Sequence, residues 1–228
     1  MSTRPRISFD KRGWCNACQW MEAKKTLDWT PRKKELAALL DNYRSKAGGF
    51  DCIVPVSGGK DGSSIAYKLK HLHGMHPLTV TIRPALELAI GNENLTSFIH
   101  QGYNHIHVTP DVNVLKQVNK TGFIEKGFPY YGWLIGIFSA VIRVAVNFNI
   151  PLIFYGEDGE IEYGGSTETA DRSLFDVEYM KRVYFEAGYD KVFNALGLPE
   201  KDQYFYKFPS EKELSGKELY STHWSYFE

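Results

Sequence analysis

Cysteine is scarce in this chain: three in 228 residues, an odd number. That speaks against a disulfide framework and leads to the expectation of a reducing, cytoplasmic setting. Surplus charge of either sign is missing too. Lysine plus arginine and aspartate plus glutamate each total 27, so the formal net charge is zero. A protein whose main partner is nucleic acid usually carries a basic face against phosphates, so the balance weighs against that class while leaving room for a local patch. Long apolar runs are absent: the most apolar segment, Trp133 to Val146, is short for a bilayer span and carries Arg143. No signal-peptide pattern precedes Arg4 and Arg6. No internal repeat or low-complexity linker is visible. What is left is enough chain for one α/β domain with a full core and a small appendage. Aromatic residues make up 14% of it and crowd the C-terminal third, where they suit sugar or base stacking or simply a core.

The stretch around which the chain is organised runs from Phe50 to Tyr67. Cys52 to Val56 is a short apolar run that reads as a buried parallel strand. It breaks into Ser57-Gly58-Gly59-Lys60-Asp61-Gly62-Ser63, after which Ile65, Ala66, Leu69 and Leu72 share one face of a helix. A strand, a glycine-rich turn and a helix N-terminus together make a phosphate cradle. Glycines let the backbone approach closely, unpaired N–H groups point outward, and the helix dipole favours an anion there. The Walker A pattern Gly-x-x-x-x-Gly-Lys-[Ser/Thr] is absent from this window. The order Ser-Gly-Gly-Lys-Asp instead resembles the PP-loop of the ATP pyrophosphatases, which split ATP into AMP and pyrophosphate and use the AMP half to activate a carbonyl oxygen. The plainer alternative is a glycine-rich βα turn without a ligand.

Residues 1–29 stand apart: basic at the start, without sustained periodicity, and holding Cys15 and Cys18 in C-x-x-C spacing. That is half of a structural zinc site, which needs four ligands. Cys52 lies in the first core strand and reads as a small hydrophobe. Residues 30–228 form the main domain. Thr30-Pro31 reads as a helix start with Thr30 as N-cap, followed by a stripe of Leu36, Leu39, Leu40 and Tyr43 and a stop at Gly48-Gly49. Leu78–Ile82 reads as a second strand ending in Arg83-Pro84, Asn92–Gln101 as a helix, and Ile106–Val108 as a third strand. A helix follows from Asp111 to about Asn119, then an aromatic loop over 127–133, a long apolar helix to Asn147 and a fourth strand over Pro151–Tyr155. Helices are expected near Phe175–Ala187 and Lys191–Leu196, and the aromatic runs Tyr204–Phe208 and Thr222–Phe227 read as strand-like. Strands alternating with helices predict an α/β fold, a doubly wound, mainly parallel sheet. Ligands of such sheets sit beyond the carboxyl ends of the strands. That rule gathers Ser57–Ser63, the Ile82-Arg83 end and Gly156-Glu157-Asp158 around one crevice.

The second unusual stretch is 156–175. Glu157, Asp158, Glu160 and Glu162 fall within six residues. Crowding them is costly without a cation or a basic partner. Either they form a solvated loop, or one or two face the crevice and hold Mg²⁺ on phosphates or meet the substrate.

Ile7-Ser-Phe-Asp10, Gly13-Trp-Cys-Asn-Ala-Cys18, Pro55–Ser63 and Tyr155-Gly-Glu-Asp-Gly-Glu-Ile-Glu-Tyr-Gly-Gly165 together resemble the N-acetyl sugar amidotransferases of bacterial surface-polysaccharide synthesis, including lipopolysaccharide O-antigen pathways. The likeness runs over essentially the whole chain. The PP-loop specifies the superfamily, and the Cys-Asn-Ala-Cys and Glu-Tyr-Gly-Gly elements this branch of it. Members carry a second C-x-x-C just ahead of the Thr-Arg-Pro segment and continue beyond His-Trp-Ser-Tyr-Phe, so the resemblance implies a shortened chain lacking part of a zinc ribbon and a C-terminal segment. It implies an ATP-dependent, AMP- and pyrophosphate-forming reaction that turns an N-acetyl group on a nucleotide-linked sugar into an acetamidino group. Ammonia would come from a separate glutaminase with a cyclase-like subunit, because Cys15 and Cys18 lack a glutaminase context and Cys52 lies inside a strand.

Residue by residue, the resemblance implies that Gly58, Gly59 and Gly62, with the hydroxyls of Ser57 and Ser63, hold the β,γ-phosphates. Lys60 would offset charge developing during adenylyl transfer, and Asp61 would be a Mg²⁺ carboxylate, its plainer role being to cap the helix. Glu157 is a second candidate for metal or substrate. Thr81 and Ile82 would meet adenine through backbone groups. Arg83 would meet a carboxylate or phosphate, or form a surface ion pair. Tyr130, Tyr131 and Trp133 would shape the sugar site or pack in the core. Zn²⁺ at Cys15 and Cys18 would be a partial site. A tRNA-modifying PP-loop enzyme, of thiolase or lysidine synthase type, and a non-catalytic ATP-binding subunit are the alternatives.

Overall fold

A computed structural model of the chain describes residues 4–185 and 189–228. The helices α1 (Asn16–Ala23) and α2 (Thr30–Tyr43) lead into β1 (Cys52–Pro55) and α3 (Lys60–Tyr67), which runs on as one π-helical turn over Lys68–Leu72. Then come β2 (Pro77–Ile82), α4 (Ala89–His100), β3 (Asn104–Val108), α5 (Val112–Lys126), α6 (Tyr131–Phe148) and β4 (Leu152–Tyr155). The C-terminal third adds α7 (Gly159–Tyr163), β5 (Leu174–Phe175), α8 (Val177–Tyr179), α9 (Asp190–Leu196), α10 (Glu211–Leu214) and β6 (Tyr220–His223).

The strands form one six-stranded sheet in the order β3-β2-β1-β4-β6-β5. Every neighbouring pair is parallel except β5 with β6, which is antiparallel. The expected doubly wound α/β sheet is therefore what this chain folds into. Burial on both faces follows from the alternation of side chains along each strand. Ile53 and Ile153 enter the core made with α5 and α6, while Cys52, Val54, Leu152 and Phe154 enter the one made with α2 and α3. From β1 the chain winds outward to β2 and β3 on one side, then returns to β4 on the other. The crevice between the carboxyl ends of β1 and β4 is thus the topological switch point.

Several local expectations are corrected. Thr30 is the first residue of α2, with Trp29 at the cap position, and it is Asp28 Oδ1 that accepts the Thr30 N–H at 2.9 Å. That helix ends at Tyr43, ahead of the glycines, because Arg44 is already extended. The helix expected to stop near Asn119 continues to Lys126, where Gly127 closes it with a left-handed φ of 70°. Tyr131 and Trp133 belong to the first turn of α6 instead of a loop. Tyr204–Phe208 is not strand-like, since Glu200–Tyr206 is a 3₁₀ helix, and only the start of Thr222–Phe227 is strand, the rest turning into 3₁₀ at Trp224–Tyr226. The helix expected over Phe175–Ala187 is split: Phe175 pairs in β5, α8 runs into a π turn over Met180–Tyr184, and the expected end at Ala187 lies outside the described residues.

The apolar helix α6 is longer than its sequence suggested, 18 residues, which is enough by length and composition to cross a membrane, yet 72% of it is buried inside the protein. Arg143 shows why an arginine sits there. Its guanidinium donates to the carbonyls of Lys207 at 2.8 Å and Phe208 at 3.3 Å, and to Glu213 at 3.1 Å. The guanidinium is buried but fully partnered, by two backbone carbonyls and by a carboxylate that itself reaches solvent.

Candidate active site

The turn between β1 and α3 forms the rim of the switch-point crevice. Gly58 has a φ of +79°, and a Cβ there would collide with the carbonyl oxygen of Gly91 in the first turn of α4. Gly62 has an ordinary φ, but a Cβ on it would press on the Pro55 carbonyl, so this glycine lets α3 lie close on β1. Gly59 caps α3 without any side-chain bond to the helix. The amides of the first turn, Lys60, Asp61 and Gly62, therefore have no intrahelical partner and no capping side chain, which is the donor set of an anion cradle. Ser57 and Gly59 are exposed beside it, and Ser63 is half-buried.

Beyond this rim opens a cleft of about 680 Å³. Ser57, Asp61, Gly62, Gly156 and Glu157 line it, together with Arg4, Tyr155, Tyr184 and His223. The structure thus brings Ser57, Asp61, Gly62 and Glu157 together, as the strand-end rule required. Lys60 is different: its side chain is 88% exposed and pairs with Asp61 at 3.3 Å, so it stands over the rim rather than in the cleft. Glu157 accepts a hydrogen bond from the Tyr163 hydroxyl at 3.1 Å, and that carboxylate raises the phenol's pKa.

Thr81, Ile82 and Arg83 lie at the far side of β1. A second hollow of about 170 Å³ is lined by Val56, Ser57, Ile82, Trp133 and Tyr155 among others. The Thr81 hydroxyl donates to the Val56 carbonyl at 2.5 Å, and the Ile82 carbonyl accepts from Trp133 Nε1 at 3.3 Å. Ile82 thus offers the hollow its side chain, while its carbonyl is already engaged. Arg83 pairs with Glu87 at 2.9 Å. Tyr131 is buried against Gly122 of α5 and faces an adjoining pocket of about 350 Å³ together with Arg4, Arg6 and Lys126.

The acidic stretch is not a solvated loop. Asp158 caps α7, accepting the N–H groups of Glu160 at 2.9 Å and Ile161 at 3.3 Å. Glu160 is buried and pairs with Arg4 at 3.3 Å and Arg6 at 2.9 Å. Glu162 meets Lys24 at 2.9 Å and Trp20 Nε1 at 3.1 Å. The basic partner that the crowded carboxylates required is therefore the N-terminal segment. Asn16 of the Cys-Asn-Ala-Cys element donates to the Gly165 carbonyl at 2.8 Å, so that element sits directly on Glu-Tyr-Gly-Gly. Of the four, Glu157 and Glu160 line the cleft, and Glu160 is the one already held by arginines.

Asp61 and Glu157 present hard oxygen ligands to one cleft beside a cationic helix end. Such a set suits Mg²⁺, which takes one or two protein carboxylates and completes its shell with water and substrate phosphates. The cysteines do not suit Zn²⁺ in the same way. Cys15 Sγ and Cys18 Sγ lie 3.6 Å apart, but no group of three or more metal-ligating side chains occurs among the described residues. The Cys18 backbone bond lowers the Cys15 thiol's pKa, and Cys15 in turn raises that of Cys18.

One cluster beside the cleft went unread in the sequence. Tyr184 Oη lies 3.1 Å from His223 Nε2, and His223 Nδ1 lies 3.4 Å from Asp158 Oδ2, which also accepts the Thr169 hydroxyl. These four residues are spread over more than sixty positions of chain, with no motif spacing to betray them.

No protein family and no curated protein matches the chain. Among solved structures, the chain is similar to the predicted subunit of tRNA methyltransferase from Methanocaldococcus jannaschii, at 18% identity over 64% of this chain and 75% of that one, with a TM-score of 0.35. A likeness of that degree bears on neither substrate nor reaction.

Proposed function

We propose that this chain is an ATP-dependent enzyme that forms AMP and pyrophosphate while activating a carbonyl oxygen. Its carrying observation is the Ser57–Ser63 turn, placed at the switch point with free first-turn amides and opening on a cleft that also holds Asp61 and Glu157. In its finer form the proposal is a sugar amidotransferase: the acceptor is an N-acetyl group on a nucleotide-linked sugar, converted to an acetamidino group in bacterial surface-polysaccharide synthesis. The contact between the two sequence elements that carry that resemblance, Asn16 to Gly165, supports treating them as one unit. Ammonia from a partner glutaminase and cyclase-like subunit belongs to the same proposal.

An amide oxygen is a very poor leaving group, and adenylation converts it into one that departs as AMP. What the chain supplies is positioning and charge stabilisation. The amides of Lys60, Asp61 and Gly62 and the Ser57 hydroxyl hold the departing pyrophosphate. Asp61 and Glu157 would hold Mg²⁺, which would neutralise phosphate charge when bound. Lys60, exposed above the rim, meets charge that appears on the outer phosphates.

The test supplies nitrogen-15 ammonium, ATP and Mg²⁺ with a panel of nucleotide-linked N-acetyl sugars, and follows AMP and label by mass spectrometry. Label incorporation with stoichiometric AMP is expected, with loss of AMP formation in Asp61→Ala at unchanged folding. ATP binding without AMP from any sugar would remove the sugar assignment. Retention of tRNA at moderate salt, with AMP formed in its presence, would replace it by a tRNA-modifying activity.

A further inference from the structure

The lining of the cleft carries a buried chain of polar contacts that the proposed reading leaves unused. It runs Tyr184 Oη to His223 Nε2 at 3.1 Å, His223 Nδ1 to Asp158 Oδ2 at 3.4 Å, and Thr169 Oγ1 to the same Asp158 oxygen. His223 is 4% and Asp158 5% exposed, and Tyr184 and His223 line the cleft that Ser57 and Asp61 also line. The rings are held from the sides: His223 stacks on Phe175 at 4.5 Å, and Tyr184 on Phe138 at 4.8 Å.

The carboxylate fixes the direction of the chain. Asp158 accepts two backbone N–H groups and the Thr169 hydroxyl, and its Oδ2 faces His223 Nδ1, so Nδ1 is the ring nitrogen placed to carry the proton. Nε2 is then the acceptor, and the Tyr184 O–H donates to it. The phenol oxygen keeps acceptor capacity for a group in the cleft. This is the arrangement of a base that works through a hydroxyl, with the base itself oriented by a third group.

We propose that Tyr184, backed by His223 and Asp158, is the proton acceptor for the nitrogen nucleophile in this cleft. The inference rests on the ATP-dependent carbonyl-activating reading above. As the C–N bond forms, one nitrogen proton passes to Tyr184 Oη while the phenol's own proton passes to His223 Nε2. The bond from the activated carbon to the AMP oxygen breaks, and AMP leaves with its electron pair. Asp158 balances the imidazolium, whose proton later returns through Tyr184 to water. Burial raises the Tyr184 pKa well above its ordinary value, and Asp158 and Glu160 act in the same direction, so the phenol relays a proton without ever being a standing phenolate. Tyr184 touches the reacting atoms; His223 and Asp158 act through it as positioning residues.

Two half-reactions separate this proposal from the reading beneath it. Acceptor-dependent exchange of labelled pyrophosphate into ATP reports activation; nitrogen-15 incorporation from ammonium reports transfer. Tyr184→Phe, which deletes one oxygen and keeps the ring on Phe138, and His223→Gln are expected to keep exchange within a few-fold of wild type. Both are expected to lose ammonia transfer by about a hundredfold or more, the scale of general acid–base catalysis. Hydroxylamine, a stronger nucleophile that is uncharged near neutral pH, is expected to restore transfer in both variants. Wild-type ammonia transfer in Tyr184→Phe overturns the relay alone. So does an equal fall of exchange and transfer without hydroxylamine rescue, which marks a structural role. A wild-type chain that supports pyrophosphate exchange with none of the sugars and not with tRNA overturns the ATP reading, and the relay falls with it.

Discussion

Asp158 is a carboxylate kept charged in a place that resists charge. Burial alone would raise its pKa; the bond and charge of His223, the Thr169 hydroxyl and the Ile161 N–H outweigh that and hold it below the ordinary value. A carboxyl whose pKa is lowered by folding stabilises the fold above its unfolded pKa of about 4, and the contribution disappears as pH falls through the lower, folded value. Asp158→Asn is therefore expected to cost about 2 kcal/mol near neutral pH, the scale of a lost charge-assisted hydrogen bond. The gap to wild type is expected to narrow as the pH is taken below about 4, because the protonated acid then resembles the amide. Urea unfolding of both proteins across that range decides it. A gap that stays constant or widens in acid would mean that the charge contributes nothing. Glu157, one residue away, sits in the cleft and was legible from the strand-end rule alone. The same rule brought Asp158 to the crevice but not its role, because its partners His223 and Thr169 stand far along the chain and no local pattern announces them.

The same limit operates at the scale of elements. Strands β1, β2 and β4 could be read because each is an apolar run that both cores bury, and α3 because its stripe follows a glycine turn. The two-residue β5 could not: it pairs only with β6, and Leu174-Phe175 has no length for a pattern. Tyr204–Phe208 misled because aromatic density mimics a strand, while tertiary packing of Tyr206 decides for 3₁₀. The N-terminal segment seemed separate by composition, yet its cations answer the carboxylates of α7. Glu160 carries most of that link, with its side chain 7% exposed between arginines that are 29% and 35% exposed. Removing its charge leaves both guanidinium groups without their counter-ion, at a cost of about 3 kcal/mol, the low end for a buried pair because the arginines keep contact with water. Glu160→Gln is accordingly expected to loosen α1 before the sheet unfolds. Trypsin cleavage at Lys24 and Lys25, and amide exchange in α1, should both rise by tenfold or more. Unchanged cleavage there would place the anchorage elsewhere, on Lys24–Glu162 or Asn16–Gly165.

At the scale of the molecule, the sheet places a cradle of amides and two carboxylates at one switch point, and binding there should be visible in the stability of the whole fold. A ligand that binds only the folded state stabilises it by about 2.7 kcal/mol at a hundredfold excess over its dissociation constant. For a chain of this length, 1 kcal/mol moves the melting temperature by about 2–4 °C, so saturating MgATP is expected to raise it by roughly 5–11 °C. The increment should depend on the metal, because Asp61 and Glu157 repel bare phosphates and welcome them only with Mg²⁺ between. ATP with a chelator should therefore give a smaller shift, and Asp61→Asn should remove the difference between the two conditions while melting at the wild-type temperature without ligand, its side chain being 54% exposed. Gly58→Ala should abolish the shift under both conditions, since its Cβ would meet the Gly91 carbonyl and force the turn to open. Differential scanning fluorimetry of the three proteins reads all of this at once. If MgATP gave no shift at millimolar concentration, the turn would be a plain glycine-rich connection. If ATP shifted wild type and Asp61→Asn alike with or without Mg²⁺, the cradle would bind phosphate without the metal arrangement that activation requires.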